Sequence, residues 1–176
     1  SISNVEYINT NIDKIISAFG TEPPELPVLY IENTVPFPAM TISLSAPTKE
    51  QLKAADSAIK NNQCIYLDYR NEEEPSAENK IGVIGTIKQL VFPKQLKSSI
   101  VIDCLCRAIP GERIKTGENT SAVTVCPVYE KPYDELSAGE EAATQLRLLR
   151  ALFEKYAALV KNIDEKIVQN VKRIND

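Results

Sequence analysis

The 176-residue sequence contains no histidine and no tryptophan, a single methionine and six glycines. Without histidine, the commonest general base and the triads built on it are excluded. Six glycines are too few for a phosphate-cradling loop, and no Gly-x-x-x-x-Gly-Lys-Ser/Thr motif occurs, so ATP is not held in the P-loop manner. No apolar run approaches the ~18 residues of a membrane span. The first residues lack the basic start and continuous apolar block of a signal peptide. A net charge of −4 provides no strongly basic face, which argues against nucleic acid as a general partner. Serine and lysine for a Ser-Lys dyad are both present, but no serine stands in a recognisable catalytic setting. Paired carboxylates occur only in solvated runs. The segment therefore reads as carrying no catalytic site, cofactor or metal of its own.

What is present suits one domain, or one domain with an appendage. Hydrophobic residues make up 43% and charged residues 25%, the balance of a chain that buries a core without disulfide staples. Cys64, Cys104, Cys106 and Cys126 all lie in strand-like stretches, and Cys104 and Cys106 are expected on one sheet face. A four-thiolate zinc site is the sharper reading. Small buried hydrophobes in a reducing cytosol is the plainer one, favoured because no Cys-x-x-Cys occurs. Glu72, Glu73 and Glu74 sit in an acidic loop over residues 71–80, where consecutive side chains diverge too far to hold a metal unaided. Asn119-Thr120-Ser121 fits a glycosylation sequon but, without a secretion signal, reads as a turn.

Apolar residues at Ile2, Val5, Ile8, Ile12, Ile15, Ile16 and Phe19 trace a helical stripe, with Ser3 and Gly20 as caps. This helix packs on its own domain or on a neighbouring chain. After Pro23 and Pro24, residues 26–44 form a strand (Val28, Leu29, Ile31), a turn set by Pro36 and Pro38 around Phe37, and a return strand (Met40, Ile42, Leu44). Thr48-x-x-Gln51 reads as a capping box for a helix to about Asn61, burying Leu52, Ala55, Ala58 and Ile59. A strand over residues 64–69 follows. Residues 81–91 and 99–106 form a hairpin turning at Phe92-Pro93-Lys94, with Gly82 and Gly85 at a bulge or close approach. Pro110-Gly111 marks a turn, Ile114 lies in a short strand, and residues 121–129 form the last strand.

From Pro132 the pattern becomes helical. Ser137-x-x-Glu140 is a second capping box, and a helix over residues 138–161 would run roughly 36 Å at ~1.5 Å per residue. Leu149, Leu152, Tyr156, Leu159 and Ile163 fit a and d positions, widened by Phe153 and Val160, until Lys166 breaks the seam. Ile167, Val168, Val171 and Ile174 begin a new stripe behind Asp164. Two helices broken near Asn162 are the reading, and an unbroken coiled coil is the alternative. The chain stops without a closing element, as a truncated lobe would.

Leu26, Pro27, Leu29, Asn33, Val35, Phe37, Pro38 and Met40 together resemble the opening motif of the N-terminal, substrate-binding domain of ATP-dependent Lon proteases. Gly85-Thr86, Asp103 and Arg107-Ala108 match later motifs in the same order, over roughly residues 26–130. Tyr30, Glu32, Ala39, Pro47-Thr48 and Cys104 depart from it, standing where the family usually has proline, arginine, glycine, Gly-Arg and glycine. The resemblance implies an α+β fold: a PUA-like, β-rich pseudo-barrel over residues 26–130 with one inserted helix. An extra N-terminal helix over residues 1–20 precedes it, and an incomplete helical lobe over residues 137–176 follows. It implies recognition of unfolded or degron-bearing protein substrates and support of a homohexamer in cytoplasmic protein quality control. ATP with Mg, and Ser-Lys peptide cleavage, would belong to later domains of a parent protease. A free-standing binding module or adaptor is the alternative. Expected partners are unfolded or damaged proteins and other subunits of the same protein, with no nucleic acid and no membrane. A binder of many unfolded chains needs exposed apolar contacts, and Phe37, Met40, Val91 and Phe92 are the candidates.

Overall fold

The computed structural model describes residues 4–20, 22–70, 81–91 and 98–131. The helical lobe, the acidic loop, Ser3 and the Phe92-Pro93-Lys94 turn lie outside the described residues.

Helix α1 spans Asn4–Phe19 and turns Ile8, Ile12 and Ile15 into the core of its own chain, against β5 among others. Gly20 ends it at φ 68°, its N–H donating to the Ile16 carbonyl at 3.1 Å. The strands are β1 (Glu25–Ile31), β2 (Thr41–Ser45), β3 (Cys64–Tyr69), β4 (Gly82–Val91), β5 (Ser99–Lys115) and β6 (Ser121–Val128). Helix α2 (Lys49–Ile59) starts at the Thr48–Gln51 capping box, with both reciprocal bonds in place. The six strands order as β2-β5-β4-β3-β1-β6, and β5 also pairs with β6, closing the sheet into a pseudo-barrel. The chain has the expected α+β fold.

β1 and β3 run parallel and are joined through β2 and α2. Both are buried on both faces, so they read as nearly continuous apolar runs. One face packs Leu29, Ile31, Ile65 and Leu67 against Ala54, Ala55 and Ala58 of α2. The other packs Leu26, Val28, Cys64 and Tyr66 against α1 and β6. The four sequence expectations for α2 divide here: Ala55 and Ala58 are buried and Leu52 is partly buried against the same core, whereas Ile59 is 41% exposed at the helix end.

β5 serves both cores. Ile100, Ile102 and Cys104 join the α2 side, and Cys106 and Ala108 join the α1 side. A register shift makes this possible: Ile84 faces Cys106 but Gly85 faces Cys104, leaving Leu105 as the extra residue. Cys104 and Cys106 therefore do not share a face, because the bulge between them reverses the alternation. Gly85 stands at that irregularity, as expected. A Cβ there would lie 2.6 Å from Ile102 Cγ2 and 3.2 Å from the Asp103 carbonyl oxygen.

The expected turn at Pro110-Gly111 is instead a bulge inside one strand. Pro110 pairs with Val125 and Arg113 with Val123, so β5 has one more residue than β6 over that step. Proline lacks the N–H a ladder needs and is tolerated where pairing is already irregular.

Candidate functional site

The loop between β1 and β2 presents the largest exposed apolar side chains of the opening motif. Phe37 is 54% and Val35 43% exposed, while Pro36 between them is buried. The backbone beneath them is firmly held. The Met40 N–H donates to the Phe37 carbonyl at 3.3 Å, closing a turn with Pro38 second and Ala39 third. Ala39 sits at φ 71°, which a turn of this kind requires of its third residue. Its N–H donates to the Cys104 carbonyl at 3.0 Å, and the Cys104 N–H donates to the Met40 carbonyl at 2.8 Å. Two loop residues thus face one strand residue, a bulge that carries the β2–β5 ladder into the loop. Met40 turns inward, half-buried against the α2-side core, and its Sδ accepts the Phe37 N–H at 3.1 Å. Phe37 is therefore an exposed ring on an anchored backbone, and Met40 is part of the anchor.

Val91 is the last residue of β4, and its side chain and Phe92 lie outside the described residues. Of the four candidates, the structure brings Phe37 and Met40 together.

A polar cluster that sequence reasoning did not single out joins the C-terminal ends of β1 and β3 to the β5 bulge. Arg113 donates from one terminal nitrogen to the Tyr30 hydroxyl at 2.9 Å and from the other to Asp68. Arg70 lies over the Tyr30 ring, 3.9 Å from its centroid, and the Arg113 guanidinium is 5.5 Å from the same centroid. Burial works against the charge on Arg113, and the neighbouring Asp68 more than restores it, so its pKa is raised. The Gln51 amide fastens α2 to the same strand end through the Tyr30 carbonyl at 2.9 Å. The only sequence signal was Tyr30 itself, an aromatic where the resembled family usually has proline.

The four thiols are free and buried. Burial pushes Cys64 up to about 11 and Cys104 to about 12, and raises Cys106 and Cys126 as well. Such thiols are poor nucleophiles and poor metal ligands. Among the described residues no group of three or more Cys, Asp or Glu side chains could hold a metal ion. No described helix is long and apolar enough to cross a membrane.

A family model described as the ATP-dependent protease La (LON) substrate-binding domain matches residues 25–176. A Lon protease of Elusimicrobium minutum is 25% identical over 174 residues, which cover 96% of this chain and 21% of that protein. Lon protease 2 of Bdellovibrio bacteriovorus is 26% identical over 160 residues, covering 88% and 20%. The chain thus spans about a fifth of the length of these curated relatives. Among solved structures, the N-terminal domain of Mycobacterium avium complex Lon protease superposes with a TM-score of 0.54 at 23% identity, covering 87% of this chain and 77% of that one. The Lon N-terminal domain protein of Xanthomonas campestris gives 0.50 at 16% identity, covering 73% and 75%. Both share the fold.

Proposed function

Since the chain belongs to the LON substrate-binding domain family, we propose that it captures unfolded or degron-bearing protein segments for an ATP-dependent Lon-type serine protease. ATP hydrolysis with Mg and Ser-Lys cleavage lie in other domains of that protein. This domain also helps assemble its homohexamer in cytoplasmic protein quality control. The observation that carries the reading is the exposed Phe37 ring, with Val35 beside it, on a loop pinned to Cys104. A rigid aromatic contributes apolar contact at little entropic cost and suits many sequences, because it makes no polar demand of its partner. Val91 and Phe92 form a second candidate contact.

Phe37→Ser is expected to weaken binding of a permanently unfolded probe, such as reduced carboxymethylated lactalbumin, by about tenfold. Its melting temperature should stay nearly unchanged, because the ring is already half in water. Fluorescence anisotropy of the labelled probe reads the affinity. Paired serine substitutions at Val91 and Phe92 go through the same assay. Full affinity in both variants would remove these residues from the site.

A further inference from the structure

Among the described residues, β2 has a strand partner on one side alone. The ring β5-β4-β3-β1-β6 closes on itself, and β2 pairs with β5 alone. The bonds flanking β2 identify which of its groups point away from β5. Cys104 bonds to Met40 and the Ala46 N–H donates to the Ser98 carbonyl at 3.0 Å, so even-numbered residues of β2 point their backbone groups at β5. The N–H and C=O groups of Thr41, Ser43 and Ser45 point outward, and no described residue bonds to them.

Sheets usually blunt such an edge with charge, proline or a bulge within the strand. β2 reads Thr-Ile-Ser-Leu-Ser, and its register with β5 is uninterrupted. Helix α2 packs chiefly on β1, β3 and β4. The exposed Phe37 stands in the turn immediately before Thr41, at one end of the row.

We propose that this edge takes an extended segment of an unfolded polypeptide as an added strand, with Phe37 gripping one of its apolar side chains. The inference rests on the substrate-capture reading above and specifies its mode. Every unfolded chain carries the same backbone groups, so strand addition recognises the unfolded condition, not a particular sequence. Five residues of edge span about 17 Å, enough for two or three outward donor–acceptor positions. The serines and threonine on the outer face leave the added strand free to differ in its own outer side chains.

The test uses a labelled synthetic peptide of about ten alternating valines and serines, and two analogues N-methylated on all valines or on all serines. Alternation pins which face packs inward, so one analogue should bind at least tenfold more weakly and the other near normally. Ser43→Pro should also weaken the parent peptide at least tenfold, since it removes an outward N–H and leaves the β5 ladder intact. On the unaltered chain, hydrogen exchange at Ser43 should slow when peptide is bound, while Ile42 and Leu44 stay protected throughout. Parent-peptide binding indifferent to both methylations, with Ser43 exchange unchanged, would overturn strand addition and leave substrate capture standing. Absence of binding by both the peptide and the unfolded lactalbumin probe would overturn both. A dimer dissolved by Ser43→Pro, with peptide affinity unaltered, would assign the edge to a second copy and also overturn the proposal.

Discussion

Ala39 carries a backbone strain that its own side chain creates. At φ 71° an L-residue crowds its Cβ against the backbone, at a cost of roughly 1–2 kcal/mol that glycine avoids. Glycine also has more freedom to lose on folding, which offsets part of the gain. Ala39→Gly is therefore expected to stabilise the domain by about 0.5–1 kcal/mol, read as a higher urea midpoint with unchanged slope. Asp68 behaves in the opposite sense. It is buried and holds Arg113, whose guanidinium is itself mostly enclosed. Asp68→Asn keeps the shape and removes the charge, leaving a buried cation without its counterion. The expected loss is roughly 2–4 kcal/mol in the same measurement. Arg113→Met together with Asp68→Leu should recover much of it, because no unpaired charge remains.

Bulges decide how the strands serve two cores. The alternation of β5 reads in sequence as one inward face from Ile100 to Cys106, and each even-numbered side chain from Ile100 to Ala108 is indeed buried. What the alternation could not show is that these residues are buried in two different places, because Leu105 is an unpaired extra residue. Gly85 was legible as a close-approach glycine. Gly85→Ala would press a methyl group on Ile102 and on backbone at Asp103, which has little room to move. The expected cost is about 2–3 kcal/mol, and thermal unfolding followed by circular dichroism checks it. Pro110-Gly111 predicts a turn but forms a bulge, for a physical reason. The local dipeptide favours a reversal, but a continuous β6 pairs on both sides of it and holds the chain extended. α2 was legible to its first residue, since a capping box acts within a single turn.

Across the whole molecule the buried thiols link stability to alkaline pH. In the unfolded chain they lose protons near pH 8.5. In the folded chain burial holds Cys64 protonated to about 11 and Cys104 to about 12. The unfolded state therefore binds fewer protons in that window. The contribution is complete below about pH 8 and declines as pH rises, by on the order of 1 kcal/mol per thiol per unit. Urea midpoints should be flat from pH 7 to 8 and fall between about pH 9 and 10. Replacing the cysteines with alanine should flatten that fall. A thiol reagent at neutral pH should leave the native protein unlabelled and react with all four cysteines once it unfolds.

The sequence by itself determined most of the strands, both described helices and the family resemblance, while β5 read as two strands parted at Pro110-Gly111. Those signals are local: apolar spacing, a capping box, prolines around Phe37, and motifs in fixed order. It also marked Phe37, because a ring between two prolines in a turn has few places to hide. Three things were decided only in the tertiary structure. Arg113 found Tyr30 and Asp68 across separations of 83 and 45 residues. Cys104 and Cys106 parted to different cores. β2 became the edge of the sheet among the described residues, because the β5–β6 pairing closed the ring without it. Each depends on which strands meet, and strand pairing across long stretches of chain leaves no periodicity in either partner.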